Sequence, residues 1–307
     1  MSDIRVGTSS WADRLLLASK WYPREANSPA GRLAYYASRF DLVEVDTSYY
    51  ALPTPETTTA WADRTPPTFT FDVKAFSLFT GHPTAISALP RDLRPAGDPD
   101  SRVRRRDLPE ATYDELWARF RTVLEPIATT GKLGVVLLQF PPWLRYSEAA
   151  KRRIVEVAER CRPYRVAVEF RHGSWLDPDN ARYTVGFLAR NDLSMVSVDM
   201  PQGHASSVPP VLIATADPAV VRFHGHSPAW GGGDKQEKFR YAYSEGELAR
   251  WADRLREFAR ETDELHVLMN NCCGDQAPRD AARLAELLGR RPDGRYAKPR
   301  PLVSSHS

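Results

Sequence analysis

The chain has 307 residues, 42% of them hydrophobic and 26% charged, with a formal net charge of +3. That is enough chain for one large α/β unit, and the balance excludes a disordered polyelectrolyte and a strongly basic, nucleic-acid-coating arm. Cys161, Cys272 and Cys273 are too few for a disulfide framework, and the opening MSDIRVGTSSWADRLLLASK has no basic stretch leading into an apolar run, so a cytoplasmic location without membrane contact is expected.

In chain order, Ile4–Thr8 reads as the first strand and Gly31–Phe40 as a helix, with Leu33, Tyr36, Ala37 and Phe40 at helical spacing. Leu42–Asp46 alternates, Val43 and Val45 facing away from Glu44 and Asp46. Pro55–Arg64 is a helix, and Phe69–Lys74 a third strand with Asp72 and Lys74 on one face. From Phe76 to Thr112 the pattern lapses among five prolines and the basic run Arg102–Arg106, which marks a lid, a binding loop or a disordered insertion. Regularity returns with a helix at Tyr113–Thr130, a strand at Leu133–Phe140 and a helix at Ser147–Arg162 capped by Ser147.

Tyr164–Trp175, YRVAVEFRHGSW, is the most telling stretch. Val166, Val168 and Phe170 share one face of a strand while Ala167, Glu169 and Arg171 share the other, so an apolar strand ends in charge. Asn180–Arg190 is a helix, Leu193–Met200 a strand tipped by Asp199, and Val220–His224 a strand with Arg222 and His224 on one face. The loop Gly231–Gly233, the helix Ser244–Glu261, the strand Glu264–Asn270 and a helix starting near Pro278 complete the regular part. The alternation of strand and helix predicts a single (β/α)8 TIM-type barrel over residues 1–290, with a long loop after the third strand and an irregular tail at 291–307. A doubly wound sheet is the runner-up, but Gly7-Thr8-Ser9-Ser10-Trp11 stands where its glycine fingerprint belongs.

In a parallel barrel the C-terminal strand ends meet at one mouth. Glu44, Asp46, Asp72, Lys74, Gln139, Glu169, Arg171, Asp199, Arg222, His224, Asn270 and Asn271 are expected to ring it, with Trp11, Tyr49, Tyr50, Trp143, Trp175 and Trp230 as an aromatic collar. The mixed charge suits an anionic substrate: Glu169, His224 and Asp199 are the candidate catalytic groups. Lys74, Gln139, Arg171, His172, Trp175, Arg222, Asn270, Asn271, Tyr49 and Trp11 are the candidate substrate contacts. Glu169, Asp199, His224 and His226 are also ligand types for a divalent metal, although no metal-binding motif spaces them. The competing structural reading is a salt-bridge network that closes the barrel top.

Taken together and in order, Gly7–Trp11, Val43–Asp46 with Ser48-Tyr49-Tyr50, Phe71–Ala75, LGVVLLQFPP at Leu133–Pro142, VEFRHGSW at Val168–Trp175, Val198–Pro201, Arg222–Gly225 and Asn270-Asn271 make the chain similar to the YecE-like barrel proteins, a domain-of-unknown-function family. The resemblance implies a TIM-type barrel with likeness to endonuclease IV-like and sugar-isomerase-like barrels, although the His-rich metal set of such nucleases is not visible and Asp46 stands where the family often has Asn. Three expectations follow: an enzyme binding or processing a small phosphorylated molecule or nucleic acid, a non-catalytic nucleic-acid-binding partner of another enzyme, or a sugar isomerase-like enzyme.

Overall fold

The apolar stretches pair side by side, in parallel, in the order in which they occur. In the computed structural model, which describes residues 2–232 and 235–289, the strands are β1 (Asp3–Ser9), β2 (Leu42–Val45), β3 (Thr70–Lys74), β4 (Leu133–Gln139), β5 (Val166–Glu169), β6 (Leu193–Asp199), β7 (Ala219–Phe223) and β8 (Glu264–Met269). They form a closed barrel, with β1 joined to both β2 and β8. This is the expected single (β/α)8 barrel. The expected tail at 291–307 and part of the Gly231–Gly233 loop lie outside the described residues.

Helices α1 (Pro29–Ala37), α2 (Pro55–Asp63), α3 (Glu110–Thr129), α4 (Glu148–Cys161), α5 (Ala181–Arg190), α6 (Glu245–Phe258) and α7 (Gln276–Leu287) follow individual strands. Their starts carry the local chemistry expected of helix ends: Ser28, Thr54 and Ser147 accept backbone N–H groups at the first turns of α1, α2 and α4, and Ser244 with Glu247 forms a capping box on α6. On α4, Ala150, Ile154, Val157, Ala158 and Cys161 turn inward, and each fully buried Ile or Val contributes roughly 1.5–3 kcal/mol. The Tyr36 hydroxyl on α1 accepts from Thr8 N at 2.8 Å and donates to Leu42 O at 3.0 Å, tying the helix to β1 and β2.

The connections add detail to the sequence reading. Helix α7 begins at Gln276, two residues before Pro278. Among the described residues, no helix joins β6 to β7; the connection runs back along β6, where Thr215 Oγ1 donates to Leu193 O and accepts from Met195 N. The long loop after β3 is ordered: Thr84–Ala85 and Arg102–Val103 pair antiparallel, and Phe76, Leu78, Phe79, Ile86, Leu89, Val103 and Leu108 are buried beneath it. Phe79 stacks on Trp117 of α3 with ring centroids 3.8 Å apart. The proline-rich stretch is therefore a folded cap with its own share of the core. No helix among the described residues is long and apolar enough to cross a membrane.

Candidate active site at the barrel mouth

Charged residues on the inward face of four strands meet at the C-terminal end of the barrel, and they pair with one another. Arg222 from β7 is fully buried and makes a two-pronged contact with Glu44 of β2, Nε to Oε2 at 2.8 Å and Nη2 to Oε1 at 2.8 Å, while its third nitrogen donates to Glu169 of β5. Ser9 Oγ adds a 3.1 Å bond to Glu44. Arg171, just beyond β5, donates to Glu169 and, at 3.2 Å, to Gln139. Lys74 Nζ pairs with Asp46 at 2.9 Å and lies 4.6 Å from the ring centroid of Tyr49. Three carboxylates thus face three cations, the arrangement that keeps buried charges affordable.

His224 completes the lower part of the cluster. Its Nε2 lies 3.2 Å from Glu169 Oε1 and its Nδ1 lies 2.8 Å from Asn270 Nδ2. Because an amide N–H can only donate, Nδ1 is the acceptor, and the ring proton sits on Nε2 and points at Glu169. Cys272 Sγ faces the other side of the Asn270 amide, its oxygen, at 3.9 Å. Burial, reinforced by Arg171, lowers the His224 pKa to about 3 against the opposing pull of Glu169, so the imidazole is neutral. Burial alone would raise the Glu169 carboxyl, but Arg171, Arg222 and His224 hold it well below the usual carboxylate range.

Above this layer opens a cavity of about 570 Å³. Its polar lining includes Lys74, Asp46, Gln139, Arg171, Asn270 and Ser10, with Tyr49, Tyr50, Phe239 and Cys272 beside them. The volume suits a small organic ligand. Ser10 sits there with φ of 92°, a left-handed backbone conformation that non-glycine residues avoid; bonds from Ser10 N to Glu44 O at 2.9 Å and from Thr8 Oγ1 to Ser10 O at 2.9 Å hold it in place. Glu169, Glu44, Arg222 and His224 lie one layer beneath the cavity floor, all fully buried.

The structure therefore brings together Lys74, Gln139, Arg171, Arg222, Glu169, His224, Asn270 and Tyr49. It separates others. Asp199 stands level with Phe223 in the β6–β7 register, on the face turned toward α6, and its carboxylate binds Tyr243 Oη at 2.7 Å and His226 Nε2 at 2.9 Å; its carbonyl accepts from His224 N at 2.8 Å, but its carboxylate has no bond to the side chains of Glu169 or His224. Among the described residues no group of three or more His, Cys, Asp or Glu side chains is placed to hold a metal ion. Asp72 lies deeper in the barrel than expected, paired with His266 at 2.9 Å.

Asn271 is buried against Asp280 of α7 at 2.6 Å and Tyr241 O at 2.9 Å. Trp175 is fully buried, stacked on Phe170 at 4.2 Å, and Trp11 is wedged between Trp61 and Phe71 in the helix layer. His172 accepts from Ser174 N at 3.1 Å and shapes the turn after β5, outside the cavity lining. None of these four side chains lines the cavity. Conversely, the sequence reading passed over Ser10, Phe239 and Cys272 as lining residues. Ser10 and Cys272 each follow a strand end and Phe239 follows the Gly-rich loop, so position alone marked all three as near the mouth.

Comparison with known proteins agrees with this architecture. The chain is 30% identical over 296 residues to UPF0759 protein YunF of Bacillus subtilis (strain 168), covering 93% of this chain and 94% of that one. It superimposes on a DUF72 family protein from Thermotoga maritima MSB8 with a TM-score of 0.74 and 28% identity, over 93% of this chain and 99% of that one. A DUF72 family protein from Enterococcus faecalis V583 gives a TM-score of 0.74 at 24% identity, over 93% and 95% of the two chains. Matched from residue 5 to residue 303 by the family described as "Protein of unknown function DUF72", the chain belongs to that family.

Proposed function

We propose that the barrel mouth binds and processes a small phosphate-bearing substrate of nucleotide size. The observation that carries this reading is the pair of cations, Lys74 and Arg171, held at the floor of a cavity of about 570 Å³ beside the amide donors of Gln139 and Asn270. Both cations already have carboxylate partners, so an incoming phosphate competes with Asp46 for Lys74 and with Glu169 for Arg171. When Arg171 turns to the substrate, Glu169 loses one of its two guanidinium partners. Its basicity then rises, with the His224 Nε2 proton still beside it, giving a carboxylate and imidazole able to take and return a proton. Arg222 stays on Glu44 throughout and keeps the layer in place.

The test is calorimetric titration with inorganic phosphate, nucleoside monophosphates and sugar phosphates. Arg171→Gln and Lys74→Met are each expected to weaken the best of these ligands by about tenfold or more, as loss of a charge-assisted contact predicts. Glu169→Gln should retain binding while abolishing any turnover of that ligand. If no phosphate ligand binds the parent protein, or if both cation variants bind as the parent does, the reading is wrong.

A further inference from the structure

The cavity is not the end of the ligand-ready surface. Trp143, in the loop after β4, is 53% exposed, more than any other large apolar side chain among the described residues. A single exposed ring is ordinary on a protein surface; what marks this one is that it is held in place beside the mouth. Leu144 N donates to Pro141 O at 3.0 Å, Trp175 Nε1 donates to Leu144 O at 2.8 Å, and Tyr146 N donates to Ser174 Oγ at 2.9 Å, so the loop is pinned on both sides of the ring.

From Trp143 a file of rings leads down into the cavity. Its centroid is 5.8 Å from that of His82, His82 is 5.3 Å from Tyr49, and Tyr49 lies under Lys74 on the cavity floor, with half-exposed Tyr50 5.0 Å to its side. His82 belongs to the long cap after β3, and burial together with Lys74 and Arg171 lowers its pKa to about 4, leaving an uncharged ring. The cap also supplies charge. The Arg104 guanidinium stands 5.8 Å from the Trp143 centroid and meets no carboxylate among the described residues, and Arg102 donates only to the carbonyl of Pro83, at 3.2 Å. Arg105 and Arg106, by contrast, are paired with Glu110 and Asp107.

We propose that Trp143, with Arg104 and Arg102, forms a second subsite that holds the neighbouring base and phosphate of a single-stranded nucleic acid whose end nucleotide occupies the mouth. The proposal rests on the phosphate-binding reading of the cavity and narrows its substrate. Aromatic faces accept any base by stacking, and unpaired guanidiniums beside them accept the connecting phosphate. A carbohydrate could stack on Trp143 as well, but it would leave both guanidiniums without a counter-charge.

The experiment uses the full chain and two probes, thymidine monophosphate and a short single-stranded oligothymidylate, followed by anisotropy or calorimetry at several salt concentrations. Trp143→Ala is expected to weaken the oligonucleotide about tenfold and leave the monophosphate unchanged, with Trp143→Phe restoring most of the loss. Arg104→Gln should lower the slope of log affinity against log salt by about one. Equal losses for both probes, an oligonucleotide affinity indifferent to Trp143→Ala, or tighter binding of a neutral oligosaccharide with no salt dependence would each overturn the rim subsite. The cavity reading fails separately: monophosphate binding that ignores Arg171→Gln removes it whatever Trp143 does.

Discussion

Two fully buried histidines in one barrel end up in opposite charge states. His224, in the mouth layer, is held neutral, with its pKa lowered to about 3 by burial and Arg171. His266, deeper in the barrel on β8, faces the same burial, but Asp72 and Glu264 outweigh it and raise its pKa to about 9. Burial is common to both and explains neither. What differs is whether the carboxylate alongside already has its cations. Glu169 is claimed by Arg171 and Arg222 before His224 reaches it, whereas Asp72 has a backbone N–H from Val135 and, among the described residues, pairs with no cation other than His266. His266 Nε2 is also 3.1 Å from Glu264, a close charge contact without an aligned hydrogen bond. The mouth is therefore a matched set of charges under an open cavity, and the deeper layer is a sealed ion pair.

The largest effect is expected from breaking the mouth layer. Arg222→Met strands Glu44 and Glu169 together without their shared cation, and equilibrium denaturation should show a loss of about 3–5 kcal/mol, the usual result of removing one partner from a buried pair. A variant as stable as the parent would mean that the two glutamates are protonated and the layer is not ionic.

Next comes pH. A histidine whose folded pKa is raised stabilises fully below its unfolded value and loses that contribution as pH climbs through the folded one; His266 therefore makes stability fall between about 6.5 and about 9. For His224 the sign reverses: its folded pKa is depressed, so the unfolded chain binds the extra proton and stability falls as pH drops from about 6.5 toward about 3. Melting temperature should therefore peak near the ordinary histidine pKa. His266→Gln should flatten the alkaline limb and remove from the acid limb only the share of Glu264, which is lowered to about 2 against its own burial by His266, Arg5 and Arg165, whereas His224→Gln should shrink the acid limb and leave the alkaline limb as it was. Parallel changes on both limbs in either variant would dissolve the contrast between the two layers.

A smaller change probes the fit of the deep layer. Gly134 on β4 has no room for a side chain: a Cβ there would overlap the Asp72 carboxylate and stand 2.8 Å from His266 Cε1. Gly134→Ala should cost about 1–3 kcal/mol by forcing that pair apart, and it should move the titration of His266 followed by NMR while leaving that of His224 where it was. The smallest expected effect is that of Asn270→Ala, about 1 kcal/mol for one hydrogen bond. Its sharper readout is the nitrogen shifts of His224, which should show mixed tautomers once nothing donates to Nδ1.

Much of this molecule is visible in its residues. Strand alternation located all eight strands to within a residue or two at most ends, and Ser147 and Ser244 marked helix starts that the structure keeps. The same alternation put Glu169 with Arg171 and Arg222 with His224, and these four do meet. It failed for Asp199, Asn271, Trp11 and Trp175 because a position near a strand's end says nothing about whether the side chain turns toward the axis or toward the helix layer. It also failed for Asp72, whose parity was right and whose depth was not. In the cap after β3, proline content hid seven buried apolar residues, since such residues held by turns show no regular period.

The order of elements, their lengths and the two-residue rhythm of charge on the strands were determined by the sequence itself, because each depends on neighbours within a few positions. Partnership was decided only by the closed barrel. Arg222 finds Glu44 at a separation of 178 residues and His266 finds Asp72 at 194. No local pattern carries that information: strand tilt and closure set which inward side chains share a layer, and the pairing within a layer then decides which histidine keeps its proton.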